Sequence, residues 1–233
     1  MAAKTFLTVL GSGLMLAGTP PERLTFEQVW SLSGVRVEAA NDRRGGHSEV
    51  LRVALEKGTG PTVYLKRQCN QLRWSLQCGL SARPTYWFER HFIGLANDMG
   101  VLGPALLCYG ESRQPTEHRA LLMVARLDGF RSLEALLQTP LTREDRRTCL
   151  VNAGLAIRRL HSQHIEHGAL YLKHIFAGPV PHREIRLIDF ERSRLQYSER
   201  AARQKDLERF FRRGWQLTAW DRANFEEGYG RHV

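Results

Sequence analysis

The chain has 233 residues, of which 42% are hydrophobic and 25% are charged, so it is long enough for one large domain or two small lobes. This composition excludes a wholly disordered chain, a collagen-like repeat and a membrane-embedded bundle. The 34 Lys and Arg residues outnumber the 24 Asp and Glu residues, which gives a net charge of +10. Such a balance favours anionic partners, namely nucleotide phosphates, nucleic acid or an anionic membrane face.

The first residues leave two alternatives open. Apolar and small residues run from Phe6 to Gly18 behind Lys4, which is the length of a secretory signal. However, Gly11 and Gly13 interrupt the run, it has a single basic residue, and it is too short to span a bilayer. We favour an extension or edge strand, assign residues 1–21 as an N-terminal extension, and expect a soluble or peripheral cytoplasmic protein.

Cysteine usage points to a reducing compartment. Four cysteines are few for a disulfide framework in a chain this long, and no two of them have a C-x-x-C spacing. They are Cys69, Cys78, Cys108 and Cys149. We predict mostly buried free thiols, with one disulfide pair as the alternative.

The first half of the chain is rich in predicted strands. Residues 49–55 and 62–66 flank a Gly-Pro turn and predict a hairpin, and the Asn-Asp-Arg-Arg-Gly-Gly run at 41–46 predicts a turn. Apolar residues at helical spacing over 87–99 predict a helix that ends at Gly100. The other predicted elements are a short helix or strand followed by a strand within 25–37, and strands over 105–110 and 120–126.

The second half is mostly helical. Ser132 and Thr142 are predicted N-caps for helices over 132–137 and 142–160. The other predicted elements are a hairpin of 175–176 with 185–188 and a basic helix over 200–215. A strand-rich half followed by a helical half predicts an α+β fold with two lobes, which we place at residues 22–127 and 128–233.

Four groups of residues suited to phosphate chemistry follow one another along the chain. A Gly-containing turn between two strands holds Gly45, Gly46 and Ser48. Lys66 ends a predicted strand, and Glu89 lies 23 residues later in a predicted helix. The fourth group is the stretch His-Gly-Ala-Leu-Tyr-Leu-Lys-His at 167–174, followed by Leu-Ile-Asp-Phe-Glu at 187–191.

In this order the groups resemble the protein-kinase-like superfamily. The stretch at 167–174 has the register of H-x-D-x-x-x-x-N, and Asp189 with Phe190 occupies the place of the D-F-G motif. More specifically, the Arg-Arg-Gly-Gly turn, the His-Gly-x-Leu-Tyr-x-Lys-His run and the Ile-Asp-Phe-Glu run resemble the lipopolysaccharide kinase family, the InaA and WaaP group. The resemblance covers residues 25–214 and implies a kinase-like fold with a small antiparallel-sheet N-lobe and a helical C-lobe.

The resemblance also implies roles for individual residues. Lys66 would bind the nucleotide phosphates of ATP and Glu89 would orient it, while Asp189 would supply a hard oxygen ligand to Mg²⁺. Four residues of the glycine turn would contact phosphate through backbone N–H groups or a guanidinium. They are Arg44, Gly45, Gly46 and Ser48.

The chain departs from the kinase pattern at two positions. Ala169 stands where the catalytic Asp is expected, and His174 stands where an Asn would bind a second metal ion. In one interpretation the chain is a kinase without that base, in which Lys173 steadies the γ-phosphate, His167 braces the loop, and Glu166 or Glu191 acts as base. In the other it is a pseudokinase that binds nucleotide or acts as a scaffold for envelope enzymes.

The stretch after Asp189 bears on the acceptor. Sixteen residues separate Asp189 from Asp206, which leaves no room for a peptide-positioning segment. The resemblance therefore implies a lipopolysaccharide core or another anionic glycolipid as acceptor, with peripheral contact at the inner membrane. We expect no nucleic-acid partner, because the basic charge comes without a recognisable nucleic-acid-binding motif. Asp206 is either a brace for the catalytic loop or a solvated helix residue.

Overall fold

The computed structural model describes residues 4–10, 23–39, 41–43, 46–55, 61–75, 81–100, 103–214 and 216–230. The chain divides into two compact units. The first consists of Met1–Arg90 with Ala105–Arg126, and the second of His91–Pro104 with Leu127–Val233.

A seven-stranded antiparallel sheet forms the body of the first unit. Its strands are β1 (Lys4–Val9), β2 (Val35–Arg36), β3 (Asn41–Arg43), β4 (Gly46–Ala54), β5 (Thr62–Cys69), β8 (Leu106–Arg113) and β9 (His118–Ala125). Their order is β1-β8-β9-β5-β4-β2, and β3 also pairs with β4. Two further strands, β6 (Leu72–Trp74) and β7 (Ala82–Pro84), pair with each other.

The predicted strands of this half are confirmed, and most are longer than expected. The hairpin predicted at 49–55 and 62–66 is β4 with β5. The predicted turn at 41–46 is shorter than expected, because Arg43 already pairs with Gly46 across β3 and β4. Residues 4–9 form an edge strand, as we favoured from the sequence, and this strand, β1, pairs with β8 along its whole length.

The two faces of the sheet have different neighbours, because successive side chains of a strand point to opposite sides. One face forms a hydrophobic core with α1 (Phe26–Trp30), which begins with a capping box at Thr25. That core includes Leu65, Met123 and Phe26. The other face carries Lys66 and contacts the first turns of α2 (Thr85–Asp98), the helix predicted over 87–99.

The second unit contains the predicted helices, α3 (Leu133–Leu137), α4 (Arg143–Ser162) and α5 (Glu199–Arg213). The side chains of Ser132 and Thr142 accept from Ala135 N and Asp145 N, which confirms both predicted N-caps. The predicted hairpin is β12 (Ile175–Ala177) with β13 (Ile185–Leu187), which β10 (Arg131–Ser132) extends to three strands. The remaining strands, β11 (Ile165–Glu166) and β14 (Arg194–Leu195), pair with each other.

A sixth helix, α6 (Ala219–Gly230), was not predicted from the sequence. It packs against α4 backbone to backbone, because any Cβ at Gly154 or Gly228 would overlap a carbonyl oxygen of the other helix. The Arg146 guanidinium binds both carboxylate oxygens of Asp221 at 2.6 and 2.8 Å. Two small residues and one buried ion pair therefore fix α6 on α4.

The described cysteines agree with the prediction of free thiols. Cys69, Cys108 and Cys149 are free, and Cys78 lies outside the described residues. Burial raises the pKa of the Cys108 thiol to about 12 and that of Cys149 to about 11, so both are protonated at neutral pH. Within the described part of the chain, no helix combines the length and hydropathy needed to span a membrane.

Candidate active site

Lys66 and Glu89 form a close ion pair in the first unit. Lys66 Nζ lies 2.5 Å from Glu89 Oε1, and the two side chains are 18% and 2% exposed. Lys66 comes from the central strand β5, between Val50 of β4 and Leu122 of β9. A pair so shielded from water holds the ammonium in one place.

Gln68 fixes the helix that carries Glu89. Its side-chain oxygen accepts from Tyr86 N at 3.0 Å and from Thr85 Oγ1 at 2.8 Å, and its amide donates to Gln71 O at 2.5 Å. The first N–H groups of a helix have no partner within it, so the buried Gln68 amide acts as a cap supplied by the sheet. Lys66 and Gln68 share one face of β5, as residues two apart on a strand do.

The glycine turn is described in part. Gly46 and Ser48 are residues of strand β4, and Ser48 pairs with Asn41 on one side and with Gln68 on the other. Gly46 has a packing reason, because a Cβ there would lie 2.8 Å from the Cys69 carbonyl oxygen. Arg44 and Gly45 lie outside the described residues. Phosphate contact by these four residues stays a prediction.

In the second unit, Asp206 holds the loop at 167–174. Its side chain is fully buried and accepts from His167 N at 2.5 Å and from Gly168 N at 3.0 Å. Burial opposes ionisation of the Asp206 carboxyl, but the hydrogen bond from His161 and the backbone N–H of His167 hold its pKa below the ordinary value. Asp206 is therefore a brace of the loop, and the solvated alternative is wrong.

Gly168 is required by this geometry. Its φ is +77°, in the left-handed region that favours glycine. A Cβ at this position would also lie 2.5 Å from the Arg192 carbonyl oxygen. The loop can approach the chain after Asp189 this closely only with glycine at 168.

His167 is enclosed within the second unit. Its Nδ1 accepts from Ala169 N at 3.3 Å, and its ring centroid lies 4.8 Å from that of Phe190. Burial lowers the pKa of His167 to about 4, although the nearby carboxylates of Asp206 and Asp189 favour the charged ring. A neutral, fully buried imidazole bonded to the loop backbone fits a bracing role and is not placed to donate a proton at neutral pH.

His174 and Asp189 lie side by side. His174 Nδ1 is 2.8 Å from Ala169 O and 3.3 Å from Asp189 Oδ2. A carbonyl oxygen only accepts, so Nδ1 carries the proton and Nε2 of the neutral ring carries a lone pair. Asp189 is 30% exposed and has a φ of +69°, a strained backbone of the kind that recurs at functional sites. A carboxylate and an imidazole nitrogen are both ligand types for a divalent ion, and the carboxylate is the one Mg²⁺ prefers.

The candidate bases differ in accessibility. Ala169 is buried and has no group that accepts a proton. Glu166 is 1% exposed and its carboxylate is surrounded by Gln196, Arg194 at 3.7 Å and Arg209 at 3.8 Å. Glu166 is thus enclosed by structural partners, contrary to its prediction as a base. Lys173 is exposed to solvent.

Three residues of these clusters were missed by sequence reasoning, namely Gln68, His161 and Tyr229. Gln68 was recognisable from its position two residues after Lys66 on a strand. His161 and Tyr229 contact each other across 68 positions of the chain, a separation for which one sequence carries no signal.

Comparison with known proteins gives three matches. A sequence model described as the lipopolysaccharide kinase (Kdo/WaaP) family matches residues 27–229. Protein InaA of Escherichia coli (strain K12) is 31% identical over 174 residues, which are 72% of this chain and 78% of that protein. The solved structure of WaaP in complex with acyl carrier protein superposes with a TM-score of 0.65 at 19% identity, over 89% of this chain and 83% of that one. The last match confirms the expected α+β, kinase-like fold.

Proposed function

This chain belongs to the lipopolysaccharide kinase (Kdo/WaaP) family, and we propose that it binds ATP with Mg²⁺ and phosphorylates a sugar hydroxyl of an anionic glycolipid. The observation that carries the proposal is the buried Lys66–Glu89 ion pair. Phosphoryl transfer depends mainly on positioning and on charge stabilisation, and a fixed ammonium supplies both to the nucleotide phosphates.

Lys66 is the phosphate-binding residue in this proposal. Glu89 is nearly fully buried and has a carboxylate oxygen 2.5 Å from the ammonium, so it orients the lysine and water does not compete for this carboxylate. Because Gln68 caps α2, the position of Glu89 along the helix is set by the same strand that carries Lys66. The strand and the helix therefore form one preorganised unit that holds both Lys66 and Glu89.

Asp189 would hold Mg²⁺, with His174 beside it. When bound, the ion would neutralise charge that develops on the phosphoryl oxygens. His174 Nδ1 orients the Asp189 carboxylate from 3.3 Å while it bonds to Ala169 O. Asp189 lies two residues after the strand that ends at Leu187, and its αL backbone departs from the extended conformation of that strand.

Transfer without an aspartate at 169 is compatible with the reaction. In a loose transition state the acceptor hydroxyl loses its proton late, so a side-chain base contributes less than charge and positioning. Lys173 is exposed four residues after Ala169 and would contact the γ-phosphate. We assign no base role to Glu166, because its carboxylate is already bound by its neighbours.

A basic segment supports an anionic glycolipid as acceptor and a peripheral contact with the membrane. Residues 192–213 contain eight Lys and Arg residues and three acidic ones. Two of the acids are neutralised internally, since Asp206 is buried and Glu199 pairs with Arg158. The exposed charge of this segment is therefore strongly positive and attracts phosphorylated sugars or anionic headgroups.

Ala169 supports a second candidate function. A pseudokinase would retain the phosphate-binding and metal-binding groups and lack the catalytic Asp, which is the pattern of this chain. Such a protein would bind nucleotide as a signal or scaffold without transferring phosphate.

Mg²⁺-dependent ATP binding, measured by thermal shift, is the first test. We expect ATP with Mg²⁺ to raise the melting temperature of the wild type and to have no effect on Asp189→Ala or Lys66→Met. Asp98→Ala is the matched control, because Asp98 is an exposed acid at the end of α2. Absence of a shift in the folded wild type would contradict both candidate functions.

Transfer to an acceptor separates the two candidates. Incorporation of γ-phosphate into lipopolysaccharide or its core oligosaccharide, abolished by Lys66→Met, supports the kinase. Nucleotide binding without incorporation into any of these acceptors supports the pseudokinase.

A further inference from the structure

We propose that Tyr229 is a positioning residue for the loop at 167–174, and that it acts on this loop through His161 and Asp206. The inference rests on the proposed function only for what the loop does in catalysis. The contacts that carry it connect α6, α4 and α5 of the second unit.

Both nitrogens of the His161 ring are engaged. Nδ1 lies 2.8 Å from the Tyr229 hydroxyl, and Nε2 lies 3.2 Å from Asp206 Oδ2. An ionised carboxylate only accepts hydrogen bonds, so Nε2 must carry the proton. In the neutral ring Nδ1 is then an acceptor, and the Tyr229 hydroxyl donates to it. The carboxylate therefore sets the tautomer of His161, and the Tyr229 hydroxyl holds the ring in the orientation in which Nε2–H reaches Asp206.

Asp206 connects the His161 ring to the loop. The same Oδ2 atom that faces His161 also accepts from His167 N, and Oδ1 accepts from Gly168 N. His161 and Asp206 are both 0% exposed, so water does not replace a lost donor. If the ring rotates when the hydroxyl is lost, the carboxylate loses its Nε2–H donor and shifts away from the two amides.

The Tyr229 ring has packing contacts besides those of its hydroxyl, which also interacts with Arg158. It stacks on Phe225 with centroids 6.2 Å apart, and the guanidinium groups of Arg158 and Arg203 lie 5.8 and 5.5 Å from its centroid. The close contact of Gly228 with α4 fixes the backbone next to it. Tyr229→Phe therefore removes the hydroxyl and leaves the packing, which makes the proposal testable without unfolding the helix.

The primary test is NMR spectroscopy of the full chain, which requires no activity. In the wild type we expect the ¹⁵N signals of His161 to report the Nε2–H tautomer. In Tyr229→Phe we expect the Nδ1 signal to shift because its hydrogen bond is lost, and we expect at least tenfold faster exchange of the His167 and Gly168 amides. The Leu150 amide in the core of α4 is the reference for global opening, and its exchange should not change.

Tyr197→Phe is the control, because it removes the same hydroxyl from a side chain that is 89% exposed. The proposal is overturned if Tyr229→Phe leaves the exchange of the His167 and Gly168 amides unchanged, or if all amides, Leu150 included, accelerate by the same factor. If the wild type transfers phosphate, Tyr229→Phe should lower kcat several-fold at unchanged KM for ATP. A wild type that shows no transfer would contradict the proposed kinase activity and leave the NMR test valid.

Discussion

The side-chain oxygen of Gln68 accepts a hydrogen bond from the backbone N–H of Tyr86 at 3.0 Å, so a strand residue caps the helix that carries Glu89. This contact depends on the residue spacing in both the strand and the helix. Lys66 and Gln68 are two residues apart on β5 and share a face, while Thr85 and Glu89 are four apart on α2 and share a side of the helix. Gln68 with Thr85 forms the cap, and Lys66 with Glu89 forms the ion pair.

Replacement of Gln68 by alanine should therefore affect both stability and nucleotide binding. The variant leaves the Tyr86 N–H and the Thr85 hydroxyl without their acceptor, and we expect a loss of about 1–3 kcal/mol in the free energy of unfolding. Because Glu89 then loses its fixed position, the thermal shift produced by ATP with Mg²⁺ should also decrease. Urea unfolding and thermal-shift titration measure the two effects.

Gln204→Ala is the matched control, since Gln204 is exposed on α5 and its side chain donates to Glu208 on the same helix. It should change neither quantity by a measurable amount. A Gln68→Ala variant with wild-type stability would show that the cap does not contribute to the free energy of unfolding.

Introduction of the missing acid is the second prediction. Ala169→Asp should raise the rate of phosphate transfer at least tenfold at unchanged KM for ATP, because a positioned base typically contributes a factor of about 10² to 10⁴. Ala169 is 2% exposed, so the new carboxyl is buried and the melting temperature should fall. The transfer assays should therefore be run well below the melting temperature of the variant.

Ala169→Asn distinguishes the base from the change of shape, because the amide has nearly the same size and accepts no proton. Both variants should bind ATP alike, and only the acid should be faster. A folded Ala169→Asp variant that is no faster than Ala169→Asn would contradict the assignment of position 169 to the catalytic Asp, the residue that acts as base.

The third prediction concerns pH and His167. Burial lowers the pKa of His167 to about 4 in the folded protein, whereas an unfolded histidine has a value of about 6.5. Between these values the unfolded state binds more protons, so stability is complete above about pH 6.5 and falls as the pH decreases towards 4. His167→Asn keeps an acceptor for Ala169 N and does not titrate in this range.

Urea unfolding of both proteins at pH 7.5 and pH 5 measures this effect. The wild type should lose about 2 kcal/mol more than His167→Asn over that interval, since one pKa unit corresponds to about 1.4 kcal/mol. The other histidines are common to both proteins and cancel in the difference. Equal losses would show that His167 titrates normally in the folded state.

Elements with strong local signals were predictable from the sequence. Helices α3 and α4 begin at Ser132 and Thr142, where an N-cap residue precedes an apolar pattern. The strands of the hairpin, β4 and β5, have alternating residues and flank a Gly-Pro sequence. In each case the information lies within a few residues of the element.

Helix α6 was not predictable in the same way. Its buried residues include Asp221, Asn224 and Gly228, which no hydrophobic pattern would place in a core. They are buried because of distant partners, namely Arg146 for the acid and the α4 backbone for the glycine. Tertiary contact replaces amphipathicity in this helix.

The candidate site also has a part that was predictable from the sequence and a part that was not. The order of motifs placed Lys66 with Glu89 and His174 near Asp189, since each pair belongs to a recognisable spacing. The motifs also suggested Glu166 as a base, yet the enclosing contacts of Arg194, Arg209 and Gln196 appear only in three dimensions. Charge at a position can be read from a sequence, whereas its availability depends on the neighbours that folding supplies.

The contact between Asp206 and the loop also has a consequence in time. Asp206 follows His167 by 39 residues, and Tyr229 follows His161 by 68. At about 5–20 residues per second, the ribosome adds Asp206 about 2–8 s after it adds His167. During synthesis the His167 and Gly168 amides therefore wait for a partner that has not yet been made. The second unit acquires its ordered loop only after α5 has emerged, so a nascent chain stalled before α5 would not have this loop in its ordered form.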